Sequence, residues 1–106
     1  MSIGDFIKQV LAGVQSDAQT LLEGLAPLGL EEAKKLLESD PDYATWTEQL
    51  KSGDLTQDDF EFLLQGKQEA AQIDQLRVKG LAMVKIDAFK KALFNSIVSV
   101  GKTLLP

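Results

Sequence analysis

From Ile3 to Leu25 the apolar residues Ile3, Phe6, Ile7, Val10, Leu11, Val14, Ala18, Leu21, Leu22 and Leu25 recur at gaps of one, three and four. In a helix of about 3.6 residues per turn those gaps fall on one face, whereas a strand needs alternation at every second position. No stretch of the chain alternates in that way. The expectation is therefore an all-α fold: a small bundle of four to five helices, ending in a long C-terminal helix with candidate bends at Gly66 and Gly80.

Local signals divide the chain. Ser2, followed by Asp5, reads as an N-cap with an acid in the first turn, and Gly24, Pro27 and Gly29 read as the end of the first helix. "LEEAKKLLES" then forms a short second helix with Leu30, Ala33, Leu36 and Leu37 inward. Asp40-Pro41 opens a third, because aspartate caps well and proline suits the first helical position. Its inner face is Tyr43, Trp46, Thr47 and Leu50, and Gly53 ends it as a left-handed residue. The final helical stretch begins after Thr56, with Asp59 as an acidic variant of the capping box. Gly66 and Gly80 are its weak points, each interior glycine costing roughly 1 kcal/mol relative to alanine.

Beyond Gly80, Ile86, Phe89, Leu93, Ile97, Val100 and Leu104 make a second stripe, which Met83, Phe94 and Val98 widen to about half the helix circumference. One neighbouring helix would not cover it. At 106 residues the chain fits one domain, residues 1–106, and 44% hydrophobic with 25% charged content suits a folded globular protein.

The charge is uneven. Residues 1–66 carry four lysines against thirteen acids, a balance of −9, and residues 67–106 carry seven Lys or Arg against three acids, a balance of +4, together the net −5. The acidic half would repel phosphate, so nucleic acid is not an expected partner. There is no cysteine, hence no disulfide framework or zinc-thiolate site, and cytoplasm is the default expectation for the compartment. "MSIGDFIKQVLAG" lacks a positive leader and reads as no secretory signal, and no apolar run approaches the roughly 18 to 20 residues of a membrane span.

"KSGDLTQDDFEFLL" resembles the second half of an EF-hand loop. With Gly53 in sixth place, however, Leu50 falls where an oxygen ligand is required, and the frame from Asp40 lacks the glycine. The same letters are explained by a helix stop at Gly53, a staple at Leu55 and a cap at Thr56. Without histidine or cysteine, catalysis would rest on carboxylates, lysines and Tyr43, and the acids Asp54, Asp58, Asp59 and Glu61 suit a helix N-terminus. No catalytic, cofactor-binding or metal residue is assigned. Phe6, Phe60, Phe62, Phe89 and Phe94 are expected in the core, whereas Trp46, if it faces outward, would anchor a partner.

The expected function is that of a non-enzymatic interaction or structural module, a homo-oligomer that also holds a protein partner. Its interface would be Met83, Ile86, Phe89, Phe94 and Val98, with Trp46, because self-association is the commonest cover for a wide apolar arc. A second expectation is a peripheral membrane or lipid-binding protein that uses the basic side of the C-terminal helix, Lys85, Lys91 and Lys102.

Overall fold

The computed structural model describes residues 1–106, and all of its regular structure is helical. Helix α1 spans Ile3–Leu22 and leads through one 3₁₀ turn, Glu23–Leu25, into α2, Ala26–Ser39. Then come α3, Pro41–Ser52, α4, Gln57–Ala70, the short α5, Asp74–Val78, and α6, Met83–Lys102. The all-α bundle read from periodicity is the fold.

Three N-termini form where their capping residues stand. Ser2 Oγ accepts the Asp5 N–H at 3.1 Å, Asp40 Oδ1 accepts the Asp42 N–H at 3.0 Å just before Pro41, and Thr56 Oγ1 accepts the Asp59 N–H at 3.1 Å. Each bond satisfies a backbone donor that the helix cannot, an effect of about 1 kcal/mol. Gly53 closes α3 at φ 83°, a left-handed conformation that disfavours residues with a Cβ. The stretch that resembled a calcium loop is thus a helix boundary.

Two boundaries differ from expectation. Pro27 and Gly29 do not end α1; both lie inside α2. Proline is tolerated in the first turn, where its missing N–H has no helical partner. Gly29 is buried beside Leu22 Cδ1 and the Phe89 ring, where any side chain would collide. The reversal comes earlier, at Glu23, with φ 52°. In the second half, Gly66 sits in an unbroken α4, while the chain leaves helix over residues 71–73, turns again at Gly80 and restarts at Met83. The stretch expected as one long helix or two joined by a bend is therefore three helices, turning at Gly80 as expected and not at Gly66.

Helices α1 and α6 run antiparallel down the middle of the molecule. Ser96 lies against Val10 and Phe89 faces Leu22 across Gly29, so one sequence rises as the other falls. Phe6, Val10, Val14, Ala18 and Leu22 of α1 meet Phe89, Leu93 and Ile97 of α6 in one contiguous core. Helix α4 packs Phe60 and Leu64 against the other flank of α6, α2 brings Ala33 and Leu37, and α3 brings Tyr43 and Leu50. Fully burying each such aliphatic or aromatic side chain contributes about 1.5–3 kcal/mol. Phe62 departs from its expected place and is 74% exposed. Two residues of helix turn the chain by about 200°, so Phe60 and Leu64 share the inner face and Phe62 points out between them.

Candidate interaction surface

The wide stripe of α6 needs two partners, and the chain supplies both. With α1 on one side and α4 on the other, Ile86, Phe89, Leu93, Phe94 and Ile97 are no more than 4% exposed. Of the expected interface residues, Ile86, Phe89 and Phe94 are therefore core residues, with no surface to offer a second molecule. Val98 is half-buried beside Phe94 and Leu64. Met83 alone is open, at 50%.

Trp46 is also engaged within the chain. Its ring meets Tyr43 edge to face at 6.0 Å and Phe60 at 6.4 Å, arrangements that favour aromatic pairs beyond simple burial. Lys67 Nζ lies 5.5 Å from its centroid. The same ammonium bonds Asp40 Oδ2 at 2.6 Å and Asp42 Oδ2 at 2.7 Å, tying the start of α3 to α4. This bridge holds the Asp40 carboxyl below its ordinary value, chiefly through the Lys67 hydrogen bond, and raises Lys67 in turn. Burial, then the Asp40 charge, pushes the Tyr43 phenol up to about 12. The cluster is a structural clamp, protonated at its base and closed over its aromatics.

Elsewhere chemistry is sparse. Asp54 accepts a hydrogen bond from Ser52 Oγ at 2.9 Å, while Asp58 and Asp59 face solvent in the first turn of α4, where the helix dipole favours them. A shallow groove between α1 and α6 is lined by Gly13, Asp17, Asn95, Ser96, Ser99 and Thr103, with Asp17 its one charged group. Neither assembles a nucleophile with a base.

Apart from the single ring of Phe62 and the chain ends, the exposed large apolar side chains fall on the turn between α5 and α6, Val78-Lys79-Gly80-Leu81-Ala82-Met83-Val84. Val78 is 74% and Val84 75% exposed, and Lys79 is the only charged residue between them. Arg77 and Lys85 bracket the segment, with Lys90 and Lys91 beyond. These five are five of the seven basic residues in the chain's positive half. None is paired: every ion pair in the molecule uses Lys35, Lys51 or Lys67. Asp74 and Asp87 lie nearby, lining one shallow depression with Arg77, Met83 and Lys90, so residues 74–91 balance to +3 (five bases, two acids).

The turn is held firmly. Gly80 N–H donates to Arg77 O at 3.0 Å and Leu81 N–H to Leu76 O at 3.1 Å, the two bonds that close a helix over a left-handed glycine. Gly80 takes φ 87°. Leu81, following it, packs back on the core together with the buried Leu76, the apolar contact that accompanies this closure. Lys85 and Ile86 N–H then donate to Ala82 O and start α6. Anchored by Leu76 and Leu81, the loop presents Val78, Met83 and Val84 outward at the end of the bundle where α1 gives way to α2. The expected basic residues Lys85, Lys91 and Lys102 are all exposed, as their helical phase required. Val78 and Val84 lie off the stripe that begins beyond Gly80, so helical periodicity gives them no place. Their signal was a run of apolar residues between Arg77 and Lys85, off the stripe on either side.

No family model, curated protein or solved structure matches the chain.

Proposed function

We propose that this protein is a non-enzymatic helical docking module whose working surface is the turn from Arg77 to Lys85. The observation that carries this reading is the pairing of two valines, each about three-quarters exposed, with unpaired basic residues on a loop pinned to the core. A folded chain gains nothing from leaving such groups outside; a second surface that covers them gains their burial, about 25 cal/mol per Å² of apolar area. The rigidity of the Gly80 closure supports the same reading, since a preformed loop loses little freedom on binding. The α6 stripe offers little apolar surface for self-association, because α1 and α4 already cover it.

A photo-crosslinking residue placed at Val84, in the cells that produce the protein, tests the assignment against the same residue at Gln15, which is exposed on α1. Adducts at position 84 and not at 15 are expected, whether to protein, lipid or a second copy. Equal yields at the two positions would remove the turn as the working surface.

A further inference from the structure

We infer that the surface covered by this turn is an anionic lipid bilayer, with Val78, Met83 and Val84 entering the headgroup boundary and Arg77, Lys79 and Lys85 resting on lipid phosphates. The inference rests on the docking reading above and names its partner. Charge complementarity and apolar exposure favour this occupant. The exposed apolar side chains stand at the end of α5 and the start of α6, where a soft interface accepts them without a preformed pocket, and in sequence the basic residues flank them at Arg77, Lys79 and Lys85. The rest of the molecule has the opposite sign overall: residues 1–66 balance to −9, against +3 for residues 74–91, so an anionic surface favours approach by this segment. That asymmetry orients the protein turn-first. No helix is long and apolar enough to cross a membrane, so the contact would be peripheral.

Flotation of the purified full chain with vesicles of phosphatidylcholine alone, or of phosphatidylcholine with about one-third phosphatidylglycerol, tests this at low and high salt. Each basic residue near such a surface is worth about fivefold in partitioning, so Lys79→Gln with Lys85→Gln should weaken binding about 25-fold. Val78→Ser with Val84→Ser removes the apolar part and should weaken it at least several-fold. All four positions are exposed, so both double variants should keep wild-type helicity and melting, which is checked alongside.

The expected result is flotation with the anionic vesicles only, lost at high salt and reduced by both variants. Absence of flotation with anionic vesicles at low salt overturns the inference, as does equal flotation with neutral vesicles. Binding that ignores the valine changes overturns it too, since it would be adsorption by charge alone. If flotation fails while position 84 still crosslinks to a protein, the docking reading stands and only its lipid partner falls; failure of both experiments removes both.

Discussion

Ser96 donates its hydroxyl to the carbonyl oxygen of Val10 at 2.8 Å, joining α6 to α1 across 86 positions of sequence. The contact exists because Gly13, one turn along α1, has no side chain: a Cβ there would stand 2.5 Å from Ser96 Oγ. Gly13→Ala must therefore displace the hydroxyl and lose the bond. Alanine's better helix propensity offsets part of this, about 1 kcal/mol. Ser96→Ala leaves a carbonyl that already serves a helix, at a cost of about 0.5–1.5 kcal/mol. In the Ser96→Ala background, Gly13→Ala should become clearly less harmful. A double-mutant cycle in urea checks this, and strictly additive effects would contradict the contact.

Two other glycines should respond with opposite signs. A Cβ at Gly101 would meet Phe60 Cε2 at 2.5 Å and Cδ2 at 3.1 Å, with the ring fully buried behind it. Gly101→Ala is expected to destabilise by about 1–3 kcal/mol despite the gain in propensity. Gly66, inside α4, is exposed, and nothing lies within 4 Å of the position its Cβ would take. Gly66→Ala should stabilise by about 0.5–1 kcal/mol. Thermal melts of the two variants decide both signs.

The contrast between these glycines shows where sequence reasoning reaches. Caps were legible, because Ser2, Asp40 and Thr56 act on donors two or three residues away. So was the inner face of α1, which one uninterrupted helical phase determines. What a glycine faces was not legible, because Gly29 resembles a helix stop until Leu22 and Phe89 are seen against it. The break at residues 71–73 contains neither glycine nor proline; there Ile73 is drawn into the core at 4% exposure while the chain crosses toward α6. Val78, before the restart at Met83, and Val84, off the α6 stripe, have no place in the helical periodicity. The width of the α6 stripe was visible, but that α4 folds back to cover its second edge is a tertiary fact.

The clamp of α3 on α4 predicts a stability plateau with two different edges. Asp40 is held below its ordinary value of 3.8 when folded, so its contribution is complete above that pH and is lost as pH falls through the lower folded value. On the alkaline side the unfolded chain loses the tyrosine proton near 10 while the folded chain keeps it to about 12, so stability falls with rising pH over that window. Lys67, raised above its ordinary 10.5, acts in the same direction from there upward. Urea midpoints should therefore be flat through neutrality and fall above pH 10. Tyr43→Phe should remove part of the alkaline loss and leave the Lys67 share. Because Tyr43 is the only tyrosine, absorbance near 295 nm reads it directly, and a folded-state midpoint at 10 would contradict its burial.

The same bridge separates a cap from a charge. Asp40→Asn keeps an N-cap oxygen and loses only the half-exposed ion pair, so it should cost about 1 kcal/mol or less. Asp40→Ala loses both and should cost about 1–3 kcal/mol. Equal costs in chemical denaturation would mean that the cap contributes nothing.

Phe94 and Phe62 give the sharpest test of which apolar residues belong to the core. Had the α6 stripe been an interface between copies, Phe94→Glu would yield folded monomers. In this fold Phe94 is 2% exposed between α6 and α4, and the residues lining the adjoining depression hold no cation for a carboxylate and include the like-charged Glu61. Burying that charge, or protonating it, costs several kcal/mol on top of the lost aromatic burial, a large share of the roughly 5–15 kcal/mol by which a domain is stable. Phe94→Glu should be largely unfolded by circular dichroism. Phe62→Glu replaces a ring that is 74% exposed and should shift stability by no more than about 0.5 kcal/mol. A Phe94→Glu chain with wild-type helicity would place that ring outside the core and return α6 to consideration as an interface.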